Sequence, residues 1–210
     1  FDLDGTLIDT VPDLVLLSNR MLRELGYPEH TMDEIISYIG NGVKALIAFA
    51  LPPESPQEDH EEFHRRWREY FPEYYSHSFP YPGMVQFLTQ IKEQGCKVAV
   101  VSNKFQQGVE GCMNFALPGF FKVMYGESPE TPKKPDPAGI IKAMEELGST
   151  PDTTVYVGDS PGDVLGGQNA GCDTVAALWG YRKEEDFIEA NAIPTYFMVK
   201  PLDLLPLASK

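Results

Sequence analysis

Apolar positions along this 210-residue chain follow two grammars, and the change falls near residue 80. In the first part the spacing is helical throughout. Val11, Leu14, Val15, Met21, Leu22 and Leu25 recur at three- and four-residue intervals, with Thr10-Val11-Pro12-Asp13 as a capped start and Gly26 as a stop. Thr31-Met32-Asp33-Glu34 opens a second helix carrying Ile35, Ile36 and Ile39 on one face, broken at Gly40-Asn41-Gly42. Val43, Leu46, Ile47 and Ala50 then resume the pattern, and Ser55-Pro56-Gln57-Glu58 reads as a further cap. Phe63, Trp67, Tyr70, Phe71 and Tyr74 form an aromatic stripe at helical spacing, the ordinary signature of a helix-bundle core.

After Phe79-Pro80-Tyr81-Pro82-Gly83 strand-like and helical segments alternate. Strands are expected at 97–102, 122–125, 154–158, 174–178 and 196–198, and helices at about 83–94, 106–114, 136–148, 161–170 and 184–191. Gly166-Gly167 weakens the fourth of these helices, at roughly 1 kcal/mol per glycine relative to alanine. Near-continuous apolar strands separated by helices imply βαβ units and a buried parallel sheet. The expected fold is therefore α/β: a Rossmann-like parallel sheet core from 1–11 and 80–210, with an inserted all-helical cap at 12–79.

Composition narrows the function classes. With 17 Lys+Arg against 31 Asp+Glu the net charge is −14, which disfavours nucleic acid as a partner. No apolar run approaches the ~18 residues of a membrane span. Three scattered cysteines, Cys96, Cys112 and Cys172, suit a reducing, cytoplasmic setting. The composition sets no preference between monomer and homodimer. Only Phe1 stands before Asp2; if Asp2 closes a core strand, apolar residues are expected upstream, and a targeting segment there stays open.

In open parallel sheets ligands bind beyond the carboxyl ends of the strands. Phe1-Asp2-Leu3-Asp4-Gly5-Thr6 places two carboxylates two positions apart, on one face of an extended segment. Alone, this is either a cation-binding pair or an Asp-Gly turn. Ser102-Asn103-Lys104 follows the second strand, Lys133-Lys134-Pro135 lies in a later loop, and Gly158-Asp159-Ser160-Pro161-Gly162-Asp163 follows another strand. Taken singly each is ordinary loop or cap chemistry; together, at successive strand ends, they make a site of acids, a hydroxyl, an amide and a lysine. Those groups suit phosphoryl transfer through an aspartyl-phosphate. Asp2 and Asp159 supply a carboxylate pair for Mg²⁺. Lys134 and the Ser102 hydroxyl neutralise and orient phosphate oxygens, and Asp4 protonates the leaving alkoxide and then activates water.

The four motifs resemble those of the haloacid dehalogenase superfamily of Mg²⁺-dependent phosphatases, over nearly the whole chain. The resemblance implies Asp2 as nucleophile, Asp4 as general acid/base and as a metal ligand through its backbone carbonyl, Ser102 and Asn103 as the second motif, Lys134 as the third, and Asp159 with Asp163 in the metal shell. The helical insertion resembles the family's small cap. Thr10-Val11-Pro12-Asp13-Leu14, Ile39-Gly40-Asn41-Gly42 and Pro135-Asp136-Pro137 look like phosphoglycolate phosphatases, which implies a small phosphate ester as substrate, 2-phosphoglycolate first. On that reading the turn at Asn41 and Gly42, with Lys44, approaches the substrate's non-phosphate end. Its plain alternative is a helix–turn–helix break.

Other functions on the same fold weigh less. A β-phosphoglucomutase-like phosphomutase usually has an apolar residue where this chain has Thr6, placed here with the substrate-binding groups. A dehalogenase does not need Asp4. A non-catalytic binding protein tends to lose the nucleophile or a metal aspartate. A pyrophosphatase of the same fold is the remaining alternative.

Overall fold

The computed structural model describes residues 1–209. Its centre is a parallel sheet completed by the first two residues. β3 (Ala99–Phe105) pairs in parallel with β4 (Val123–Glu127), and β5 (Val155–Gly158), β6 (Asp173–Ala177) and β7 (Tyr196–Met198) form a second parallel set. Phe1 N donates to Ala99 O at 2.9 Å, its carbonyl accepts from Val101 N at 2.9 Å, and Asp2 N donates to Val157 O at 2.9 Å. The opening segment thus lies between β3 and β5. It joins the two sets in the order β4-β3-(Phe1–Asp2)-β5-β6-β7, with Asp2 where the strand order reverses.

β1 (Ile8–Asp9) leaves the sheet and pairs antiparallel with β2 (Phe79–Pro80). Everything between them is helical or loop: α1 (Val11–Leu25), α2 (Met32–Tyr38), α3 (Val43–Ala50), α4 (Gln57–Tyr70) and a 3₁₀ turn at Phe71–Glu73. Phe63, Trp67 and Phe71 are buried, and Tyr70 and Tyr74 flank Arg20, whose guanidinium sits 3.8 Å from the Tyr70 ring centroid. Their apolar cluster is continuous with that of the sheet, running from Ile35, Leu46 and Trp67 to Leu3, Phe105 and Val157.

Helices α5 (Met84–Glu93), α6 (Gln106–Ala116), α7 (Ala138–Leu147), α8 (Pro161–Asn169) and α9 (Glu184–Glu189) follow the strands. The glycine pair does not interrupt α8. A Cβ at Gly167 would stand 2.5 Å from Thr174 Cγ2 and 3.0 Å from Tyr156 Cβ, so the missing side chain lets α8 pack against the sheet. No helix of the described residues is long and apolar enough to cross a membrane.

Two start signals act differently from expectation. Thr10 does not cap α1; its hydroxyl donates to Asp4 Oδ1 at 2.6 Å. Asp13 instead accepts from Ser78 Oγ at 2.5 Å and His77 N at 3.0 Å, fastening the far end of the helical segment to its beginning. Ser55 likewise leaves the cap to Pro56 and pairs with His60 Nε2 at 2.8 Å. A short polar side chain has several partners within reach, and partners other than the helix N–H groups win here. Thr31 and Glu34 do form the expected capping box.

Candidate active site

Three carboxylates converge beside the opening segment. Asp2, Asp159 and Asp163 are buried, and each offers an oxygen within 4.8 Å of the others. Gly5 makes this possible: at φ +80° it turns the chain out of the sheet, and a Cβ there would lie 2.2 Å from Asp159 Oδ2. Asp159 accepts from Tyr181 N at 2.8 Å and from Thr6 Oγ1 at 3.3 Å, so the Thr6 hydroxyl stands behind this carboxylate. Asp163 closes the capping box of α8 with Ser160.

Lys134 faces two of the acids, with Nζ 2.6 Å from Asp163 Oδ1 and 2.8 Å from Asp2 Oδ1. Its N–H groups donate to Asp163, to Tyr156 Oη at 2.9 Å and to Val101 O at 3.0 Å. The approach to Asp2 lacks hydrogen-bond geometry, and Asp2 Oδ1 is left buried without a hydrogen bond. Burial and the charge of Asp163 push the Asp2 carboxyl up to about 6, against the opposing pull of Lys134. Burial, Asp163 and Asp2 hold the Asp159 carboxyl well above the usual range. For Lys134 burial works against the charge, but Asp163 and Asp2 keep it protonated, well above its ordinary value. A buried acid set in which one oxygen has an ion-pair neighbour but no hydrogen bond suits a hard divalent cation with oxygen ligands.

Asp4 points elsewhere. It takes the Thr10 hydroxyl and the ammonium of Lys104, with Nζ 2.9 Å from Oδ1 and 3.2 Å from Oδ2. Tyr181 organises the surroundings: its hydroxyl accepts from Thr10 N at 2.9 Å and donates to Asp9 Oδ1 at 3.2 Å.

Ser102, Asn103 and Lys104 do not follow β3, as the sequence led one to expect, but lie within it. The ladder runs regularly to Val101↔Tyr125 and resumes at Phe105↔Glu127. β3 thus advances four residues (101 to 105) while β4 advances two (125 to 127). The extra residues bulge from the ladder, a common device for aiming side chains at a site. Asn103 uses its amide as a clip, donating to Gly40 O at 2.9 Å and accepting from Lys134 N at 2.8 Å.

A cavity of about 50 Å³ opens here between the sheet and the helical segment. Asp2, Asp4, Ser102, Asn103 and Lys104 form its polar side; Gly40, Gly42, Leu46, Trp67 and Phe105 contribute to the rest. Asn41 is exposed at the seam, its carbonyl accepting from Lys133 Nζ at 3.0 Å. Lys44 lies on a separate groove with His60 and His64. Arg182 crosses the same seam, donating to Ile36 O at 3.2 Å and Ile39 O at 3.0 Å. Sequence reasoning gave no role to Lys104, Tyr181 or Arg182, and at Thr10 it expected a helix cap rather than a partner for Asp4. A lysine within an otherwise buried strand was the one signal available for Lys104.

A parallel α/β sheet with acids, a lysine and a hydroxyl at its strand ends, roofed by helices, defines a hydrolase of the phosphate-handling kind. The family described as "Haloacid dehalogenase-like hydrolase" matches residues 1–177. The chain is 37% identical over 208 residues to the phosphoglycolate phosphatase of Aquifex aeolicus, covering 99% of this chain and 94% of that one. It is 32% identical to phosphoglycolate phosphatase 1 of Pseudomonas aeruginosa, covering 100% and 79%. The crystal structure of a predicted phosphoglycolate phosphatase from Haemophilus somnus 129pt superposes with a TM-score of 0.89 at 29% identity, covering 99% and 95%. The chain belongs to the haloacid dehalogenase-like hydrolases and is a phosphoric monoester hydrolase, similar to phosphoglycolate phosphatases.

Proposed function

We propose that this enzyme hydrolyses the phosphate ester of a very small alcohol, 2-phosphoglycolate first, through an aspartyl-phosphate on Asp2. The observation that carries the substrate reading is the likeness to relatives named phosphoglycolate phosphatase, which are 37% and 32% identical and cover 99% and 100% of this chain. The cavity beside Asp2 and Asp4, roofed by the helical segment, suits a small ester.

Asp2 attacks phosphorus while Asp4, on the cavity wall, gives its proton to the leaving oxygen. Asp4 then takes a proton from the water that cleaves the acyl phosphate. Lys134 holds Asp2 in place and keeps positive charge beside it. The seam contacts of Asn103, Lys133 and Arg182 keep the roof over the reacting groups and water out. Asp2 and Asp159, with Asp163 behind them and the Asp4 carbonyl, would hold Mg²⁺. Bound there, the ion offsets the repulsion between a carboxylate nucleophile and a phosphate. The three unpaired cysteines agree with a cytoplasmic enzyme.

Comparing kcat/KM across small phosphate esters and phosphosugars tests the substrate. The expected order puts 2-phosphoglycolate first. A preference for a phosphosugar overturns the substrate while leaving the reaction class in place.

A further inference from the structure

The cavity lined by Asp2 and Asp4 holds one cation among its described lining residues, Lys104. Lys134, the other buried lysine of the site, does not line it, and its three N–H donors are already taken by Asp163, Tyr156 and Val101. Lys104 differs on both counts. Its ammonium donates to the two oxygens of Asp4 and otherwise faces the Phe71 ring, 4.9 Å from the centroid. An ammonium carries three donors, so one is left without a protein acceptor, on a side chain only 6% exposed. A buried donor left unpaired is costly, which makes it a ready partner for an acceptor entering the cavity.

The rest of the lining adds a constraint. Leu14, Ile39, Val43, Leu46, Trp67 and Phe105 give the cavity apolar walls, where a charge without a partner is disfavoured and a charge pair is strengthened. The charged groups other than Lys104 that line it are Asp2 and Asp4, both carboxylates. A neutral leaving group has no need of a lysine there, whereas an anionic one has nowhere else to place its charge.

We propose that Lys104 binds the carboxylate of the substrate's leaving group, so that the enzyme selects phosphate esters of short 2-hydroxy acids. This rests on the small-ester reading above and adds to it a residue and a charge requirement. In this role Lys104 has two partners in turn, the Asp4 carboxylate before substrate enters and the substrate carboxylate afterwards, which frees Asp4 to carry the proton it gives to the leaving oxygen. It therefore links occupation of the leaving-group end to the residue that protonates the leaving oxygen.

The test compares 2-phosphoglycolate with 2-hydroxyethyl phosphate, which is similar in size but lacks the carboxylate. Lys104→Met is expected to lower kcat/KM for 2-phosphoglycolate about 10- to 100-fold more than for 2-hydroxyethyl phosphate, the worth of a hydrogen bond to a charged group, with the difference mainly in KM. Lys104→Arg, which keeps the cation, is expected to retain part of the discrimination. Equal losses on the two esters overturn the proposal and leave Lys104 acting only through Asp4. If both variants fail to fold, the wild type still decides. Glycolate is expected to inhibit competitively and ethylene glycol not; equal inhibition by the two overturns the proposal. A wild type that hydrolyses both esters equally removes the substrate reading itself, a result distinct from failure of Lys104 alone.

Discussion

Asn103 donates its side-chain amide to Gly40 O across 2.9 Å, tying the bulge of β3 to the turn between α2 and α3. One side chain thereby fixes a strand that carries the site to the helical roof that closes it. Asn103→Ala removes this bond and leaves Lys134 N without its acceptor. The expected cost is about 1–3 kcal/mol in denaturant unfolding, with KM rising more than kcat falls. A variant with unchanged KM would show that the roof closes without this clip.

Lys134 neutralises Asp2 and Asp163 in a fully buried setting. Lys134→Met leaves both acids unpaired, and removing one partner of a buried ion pair typically costs about 3–5 kcal/mol. Urea unfolding is expected to show a loss of that size, together with loss of hydrolysis. Stability within 1 kcal/mol of wild type, on the order of a surface substitution, would contradict the pairing.

The metal-free protein is expected to lose stability as pH rises across the range set by Asp2. Its carboxyl is raised from 3.8 to about 6 in the folded chain, so between those values the native state binds more protons than the unfolded one. Stability then falls with rising pH, and the contribution levels off above about 6. A divalent cation competes with those protons. Mg²⁺ is therefore expected to raise Tm more at pH 7.5 than at pH 5, which differential scanning calorimetry measures. An equal shift at both pH values would place the cation away from Asp2 and Asp159.

Gly5→Ala tests the turn that brings the acids together. The new Cβ would sit 2.2 Å from Asp159 Oδ2 at a φ of +80°. Left-handed backbone alone costs an alanine about 1–2 kcal/mol, and displacing Asp159 adds to it. The expected result is a destabilised protein in which Mg²⁺ no longer raises Tm. A variant that keeps the full Mg²⁺ response would argue against a cation held by Asp159.

The strand ends were legible because a parallel sheet leaves a simple trace, apolar runs that close on polar residues. Asp2, Ser102, Lys134 and Asp159 could be read from that pattern together with the motifs of the haloacid dehalogenase superfamily. What the sequence hid was partner choice. Thr10 and Asp13 look like local cap residues, yet they bond Asp4, His77 and Ser78. The bulge in β3 was invisible because an apolar–polar run does not show where a ladder slips. Lys104 looked like loop chemistry next to Ser102 and Asn103, and only the bulge reveals that it faces Asp4. Lys44, by contrast, was near the right turn in sequence, but α3 carries it to another groove.

Whether the Asp2 carboxylate is the nucleophile is decided by a single substitution. Hydrolysis of 2-phosphoglycolate is measured with Mg²⁺ for the wild type and for Asp2→Asn, with circular dichroism confirming that both are folded. The expected result is Mg²⁺-dependent turnover in the wild type and a loss of about a thousandfold or more in kcat for the folded variant. A folded Asp2→Asn enzyme that keeps appreciable turnover would contradict a nucleophilic Asp2.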